Sequence, residues 1–151
     1  MIIVDIDGTL ANSDKRHKLA TNSDGSINWD ILYDYDNVIS DEPIKYIIES
    51  IKIHKYLKYK IVLFTSRPER IREATEYWLN KYEVPYDELH MRSEEDHYIK
   101  DTELKLKMYN QFVDEKVLFA IEDKQEILDL WKSLGIPCYK VDNNEYDRLS
   151  N

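Results

Sequence analysis

Cysteine, glycine and proline are all scarce, with one, three and four residues respectively in a chain of 151. A lone Cys138 cannot close an internal disulfide, and it sits in an apolar, strand-like run, so a buried thiol is expected rather than redox or nucleophilic chemistry. So little glycine and proline, with 42% hydrophobic residues, excludes a low-complexity chain. No apolar run approaches the roughly 20 residues of a membrane helix. The opening Met1-Ile2-Ile3-Val4 is too short for a signal peptide and is soon followed by acids, so no membrane association and a cytoplasmic location are expected. Basic residues are also in deficit: 21 Lys and Arg face 30 Asp and Glu, a net charge of −9. An extended nucleic-acid surface is therefore not expected, because such binding rests on cations displacing counterions. A local basic pocket remains open, with Lys15, Arg16, His17 and Lys18 as the best cluster.

What is present fits one domain over residues 1–151. Ile2-Ile3-Val4-Asp5-Ile6-Asp7 reads as a buried strand that ends in a polar loop at Gly8. From Ala11 to Ser40 no periodicity is sustained, and the stretch reads as a loop insert with one short ordered patch around Trp29 to Tyr35. Pro43 opens a helix whose Ile44, Ile47, Ile48 and Ile51 share a face. Lys60 to Phe64 is a strand ending at Thr65, and Pro68 opens a second helix with Ile71, Ala74, Trp78 and Leu79 inward. A weaker strand spans Leu89 to Arg92, and a helix begins near Asp101 with Leu104, Met108 and Phe112 packing. Val117 to Ile121 is a strand, Ile127, Leu130, Trp131 and Leu134 form a helix stripe stopped by Gly135, and Ile136 to Val141 is a last strand. Strands alternating with helices imply an α/β fold, a parallel Rossmann-like sheet with helices on both faces.

In such a sheet functional groups collect at the carboxyl ends of the strands. Those ends hold Asp5 and Asp7, then Thr65, then Glu122 and Asp123, with Lys105 able to join from the helix between. Two carboxylates as close as Asp5 and Asp7 call for a cation, and Mg²⁺ suits one or two carboxylates plus a substrate phosphate. Asp5 with Glu122 or Asp123 would hold it. Gly8 and Thr9 allow a sharp turn that presents amide N–H groups to an anion, while Thr65 and Lys105 supply a hydroxyl and a fixed charge for phosphoryl oxygens. Asp5 is then placed as a carboxylate nucleophile and Asp7 as acid and base. Taken singly, the same residues have plainer roles: a turn for the aspartates, a helix N-cap for Thr65, a helix start for Glu122-Asp123. Trp29, Tyr33 and Tyr35 most simply pack, although they could stack on a base. His17, His54, His90 and His97 are scattered rather than spaced as metal ligands.

Asp5-Ile6-Asp7-Gly8-Thr9-Leu10 resembles the first motif of the haloacid dehalogenase (HAD) superfamily, with Thr65, Lys105 and Glu122-Asp123 resembling the second, third and fourth in order. The resemblance implies a HAD-like fold with a small cap or loop insert after the first strand, here about residues 11–40. It also implies a phosphomonoester hydrolase with Asp5 as nucleophile, Asp7 as acid/base, and Mg²⁺ held by Asp5, Glu122 or Asp123 and the backbone carbonyl of Asp7. Thr65-Ser66-Arg67, Met91-Arg92 and the stretch from Phe119 to Val141 are closest to the phosphatase domain of phage-type polynucleotide kinases. That similarity implies substrate binding by Arg16, Ser66 and Arg67 and removal of 3′-phosphates from nucleic-acid ends. No Gly-rich Walker sequence is present, so no kinase half is expected. The chain reads Asp96-His97-Tyr98-Ile99-Lys100-Asp101 where that family has Asp-x-Arg-x-Asp, one residue longer and without the arginine; Asp96 and Asp101 are candidates for orienting substrate. A nucleoside monophosphate phosphatase is the nearest alternative, and a phosphoacceptor signalling module or a catalytically dead binding protein are alternatives of other classes. No feature points to a particular oligomeric state.

Overall fold

The computed structural model describes residues 1–142. Five parallel strands form the main sheet in the order β5-β4-β1-β6-β7. These are β1 (Ile2–Val4), β4 (Ile61–Pro68), β5 (Glu88–Arg92), β6 (Phe119–Glu122) and β7 (Cys138–Lys140). The first strand therefore lies at the centre, flanked on both sides by later strands.

Alternation along β1 divides the core. Ile2 and Val4 face one apolar cluster with Ile47, Ile48 and Ile51 of α4 (Lys45–Tyr56) and Ala74, Trp78 and Leu79 of α5 (Arg72–Lys81). Ile3 faces the other, with Leu104 and Met108 of α6 (Asp101–Phe112) and Ile127 and Trp131 of α7 (Gln125–Ser133). A strand buried on both faces has to be apolar throughout, and Ile2-Ile3-Val4 is. Phe112 is partly buried against the second cluster. Leu118 precedes β6 and is exposed, and Leu134 lies at the exposed end of the α7 stripe, where Gly135 adopts φ +74° and stops the helix.

Three expectations need correction. The stretch from Ala11 to Ser40 is not a loop with one ordered patch: it holds β2 (Ala11–Asn12), α1 (Asp14–Ala20), α2 (Trp29–Leu32) and α3 (Tyr35–Ile39). These pieces are too short for periodicity to register, and α2 and α3 are set by local caps, the Asn28 and Asp34 side chains accepting from amides of their first turns. Second, Glu42–Pro43 is not a helix start but β3, paired antiparallel with β2, and α4 begins at Lys45. Third, Cys138 is only partly buried, on the edge strand, and burial pushes its thiol pKa up, as suits an unreactive group. Among the described residues no helix is long and apolar enough to cross a membrane.

Candidate active site at the carboxyl edge of the sheet

Register brings the predicted residues to one place. Val4 is level with Leu63 on one side and Ile121 on the other, and the Asp5 amide donates to the Ile121 carbonyl at 3.1 Å. Asp5 and Glu122 thus leave neighbouring strands at the same height. Lys105, buried on the second turn of α6, lies between them and donates to Asp5 Oδ1 and to Glu122 Oε2, each at 2.6 Å.

Asp5, Glu122 and Asp123 each offer an oxygen within 4.8 Å of the others. Three carboxylates against one ammonium leave a buried excess of negative charge. Its mark is on the acids: burial, then Glu122, push Asp5 up to about 7 against the pull of Lys105. Burial, then Asp5 and Glu122, push Asp123 up to about 8. Burial would also raise Glu122, but Lys105 and nearby donors hold it below its ordinary value. Glu122 is well supplied with donors, since Oε1 accepts from the amides of Asp123 at 3.1 Å and Lys124 at 3.2 Å and Oε2 from Lys105 at 2.6 Å. Asp123 Oδ1, by contrast, is buried with no hydrogen-bond partner among the described residues. An orphaned buried oxygen beside two further carboxylates is what a hard divalent cation requires, so the donor set fits such an ion.

Gly8 is essential to this packing. Its φ is +85°, and a Cβ there would fall 2.1 Å from Asp123 Oδ2. The turn closes on itself: the amides of Thr9, Leu10 and Ala11 all donate to the Ile6 carbonyl, at 3.2, 2.8 and 2.9 Å, and that of Gly8 to Ala11 at 2.8 Å. The amides of Gly8 and Thr9 therefore do not face an anion, contrary to expectation. Thr65 lies inside β4, not at a helix start, so it is no N-cap; its Oγ1 accepts from the Arg67 amide at 3.2 Å and its hydroxyl keeps a proton to donate.

Asp7 belongs to a second cluster. Arg67 donates to its Oδ1 at 2.7 Å and its Oδ2 at 3.0 Å, and Arg16 Nη2 donates to Oδ1. Burial alone would raise the Asp7 carboxyl, but Arg67 and Arg16 hold it well below the usual carboxylate range. Behind it lies Asp41, which sequence reasoning missed. Asp41 accepts from Arg16 Nε at 2.9 and 3.1 Å and from Arg67 Nη2 at 3.1 Å, and its carbonyl accepts from the Trp78 indole at 2.8 Å. Arg16 and Arg67, predicted to bind substrate, are 1% and 0% exposed and committed to these carboxylates. The one available signal for Asp41 was an acid beside Pro43 after an unpatterned stretch, which reads equally well as a helix cap.

A third group stands alongside. Asp101 accepts from Arg92 Nη2 at 2.7 Å and Lys124 Nζ at 2.6 Å, and the Ser66 hydroxyl also helps hold its carboxyl down against burial. Arg92 further donates to the carbonyls of Asp96 at 2.6 Å and Ile99 at 2.9 Å, which clamps the segment where the predicted arginine is missing. Asp96 itself pairs with Lys107 and Ser93, away from Asp101.

Comparison with known proteins sharpens this geometry. A family model described as the polynucleotide kinase PNKP phosphatase domain matches residues 1–146. A protein of Autographa californica nuclear polyhedrosis virus, named as a bifunctional polynucleotide kinase/RNA ligase, is 30% identical over 141 residues, covering 90% of this chain and 18% of its own length. The structure of a Pnkp1/Rnl/Hen1 RNA repair complex contains a chain that is 29% identical with a TM-score of 0.77, covering 93% of this chain and 41% of that one. This chain thus spans less than half the length of those relatives. A predicted phosphatase from Clostridium acetobutylicum shares the fold, with a TM-score of 0.70 at 13% identity over 92% of this chain and 82% of that one.

Proposed function

Because this chain belongs to the polynucleotide kinase PNKP phosphatase-domain family of HAD-type phosphatases, we propose that it removes 3′-phosphates from nucleic-acid ends through an aspartyl-phosphate on Asp5. The observation that carries this reading is the buried Asp5 carboxylate, its Oδ1 bound to Lys105 at 2.6 Å and its strand-end neighbours Glu122 and Asp123 beside it.

A carboxylate oxygen of Asp5 attacks phosphorus, the bond from phosphorus to the sugar oxygen breaks, and its electron pair leaves with that oxygen, which takes a proton from Asp7. Water then attacks phosphorus of the acyl phosphate, giving a proton to Asp7, while the bond from phosphorus to the Asp5 oxygen breaks, its electron pair restores the carboxylate, and phosphate departs. Lys105 and the Thr65 hydroxyl hold phosphoryl oxygens as charge builds on them. Mg²⁺, held by Asp5, Asp123 and the Asp7 carbonyl with Glu122 adjoining, would screen the phosphate from the attacking carboxylate. Asp123 is the better direct ligand of the last pair, since its Oδ1 has no hydrogen-bond partner among the described residues whereas both Glu122 oxygens already accept hydrogen bonds.

In its present pairing Asp7 is a carboxylate, ready as a base but not as an acid. A phosphate dianion competes for the same guanidiniums. Drawing Arg16 or Arg67 toward phosphoryl oxygens frees Asp7 and raises its pKa, which joins substrate binding by these arginines to arming of the acid. Ser66 and Asp101 position the neighbouring turn. Nucleoside monophosphates are the second reading, favoured by the net charge of −9, which disfavours a long polyanion.

Phosphate release with Mg²⁺ is to be compared for a 3′-phosphorylated oligonucleotide, its 5′-phosphorylated isomer and nucleoside 3′- and 5′-monophosphates, with Asp5→Asn as blank. Preference for the 3′-oligonucleotide supports end processing. Preference for mononucleotides moves the enzyme to nucleotide turnover, and activity in Asp5→Asn overturns the mechanism.

A further inference from the structure

We propose that Trp29, backed by Tyr33, is a stacking platform for the nucleobase of the nucleotide that bears the phosphate. The inference rests on the nucleic-acid reading above and deepens it.

Of the three tryptophans, Trp78 and Trp131 are 0% and 1% exposed, whereas Trp29 is 58% exposed. Trp29 opens α2 and Tyr33 closes it, four residues apart, so both rings lie on one helix face. Their centroids are 6.0 Å apart with planes only 18° from parallel. Asn28 fixes this short turn by accepting from the amides of Asp30 at 3.1 Å and Ile31 at 3.3 Å.

The platform is tied to the site by Arg16. That guanidinium lies 5.9 Å from the Tyr33 ring centre, donates to the Leu32 carbonyl at 3.2 Å, and holds Asp7. Trp29, Tyr33, Arg16 and Asp7 are therefore linked by successive side-chain contacts that lead from solvent to the proposed acid/base. Arg70, half exposed, lies 6.0 Å from the Tyr33 ring, paired with Asp30 only at 3.8 Å. It places a positive charge beside the aromatic pair on an otherwise acidic chain. A flat π surface next to cations, with Tyr33 and Arg16 between it and Asp7, suits a nucleobase of any sequence, because every base has a face to stack. Tyr33 is partly buried and cushions the outer ring; Trp29 carries the free face.

The test uses a 3′-phosphorylated oligonucleotide and the same oligonucleotide with an abasic terminal residue. In Trp29→Ala the ratio of kcat/KM for base-bearing over abasic ends falls about tenfold, through KM, as expected for loss of one base stack. Trp29→Phe restores most of it, and Tyr56→Ala, a remote exposed ring on α4, leaves the ratio unchanged. Because the other two tryptophans are buried, fluorescence gives a readout independent of turnover. Binding of the base-bearing oligonucleotide to Asp5→Asn protein quenches emission, the abasic one quenches far less, and Trp29→Phe removes the difference. An unchanged ratio in Trp29→Ala, or equal quenching by both oligonucleotides, overturns the platform. If mononucleotides or 5′-phosphorylated ends quench and turn over instead, the 3′-end reading fails while the platform stands.

Discussion

Two charged clusters stand side by side at the carboxyl edge of the sheet, and they balance their charge differently. Around Asp7, two carboxylates, Asp7 and Asp41, meet two guanidiniums, Arg16 and Arg67, and the group is closed. Around Asp5, three carboxylates share one ammonium, and Asp123 keeps an orphaned oxygen. The first is charge-balanced in the absence of substrate; the second carries an excess of negative charge that suits a cation. Two aspartates separated by a single residue thus have opposite pKa shifts, Asp5 up and Asp7 down, because their side chains enter different clusters. Under the proposed mechanism one motif thus draws its nucleophile and its proton carrier from two differently charged environments.

The largest effect is expected where the closed cluster is broken. Asp41→Ala leaves two buried guanidiniums with one carboxylate, and a loss of about 3–5 kcal/mol is expected in denaturant melts. Lys105→Met acts on the open cluster and sharpens the contrast: phosphate release is abolished, yet added Mg²⁺ recovers much of the lost stability, which it does not do for Asp41→Ala. Equal rescue of both variants would erase the distinction between the clusters.

Gly8→Ala is next, with about 1–3 kcal/mol from a side chain in the left-handed region and a collision with Asp123. Here the sharper readout is metal affinity, expected to fall more than stability, because the displaced group is the Asp123 carboxylate that the proposed cation needs.

The smallest effect concerns pH. Burial pushes Asp5 up to about 7 and Asp123 up to about 8, well above the ordinary carboxylate range. In metal-free protein the folded state then holds more protons than the unfolded one across that interval. The stability these groups contribute is complete below about pH 4 and is lost as pH rises through 7 to 8. A divalent cation needs both groups ionised, so the rise in Tm on adding Mg²⁺ should grow between about pH 5.5 and pH 8. A Mg²⁺ shift independent of pH would contradict the open-cluster account.

Legibility followed the same division. Asp5, Glu122 and Asp123 could be read because parallel strands announce themselves as short apolar runs and their ends are where chemistry collects, and Lys105 follows from its place on the next helix. The closed cluster was half legible. Arg16 and Arg67 were found through family likeness, but their pairing with Asp41 depends on a non-local hairpin, Ala11–Asn12 against Glu42–Pro43, that no periodicity in two-residue strands can signal. Helices of four, five and seven residues in the insert escaped for a related reason: the first two are held by side-chain caps, and the third is anchored by the ion pairs of its own Arg16. For Trp29 the sequence favours packing over base stacking because an aromatic residue usually packs; only the structure shows its face open to solvent.

The central claim is tested most directly by acid-quenching the protein during turnover of a 3′-phosphorylated oligonucleotide with Mg²⁺ and locating phosphate on the chain by mass spectrometry. The account predicts a phosphoryl group on the peptide containing Asp5, labile at alkaline pH, present in wild type and absent in Asp5→Asn. Turnover with no phosphoryl group on that peptide under any quench, or one on another residue, would contradict it.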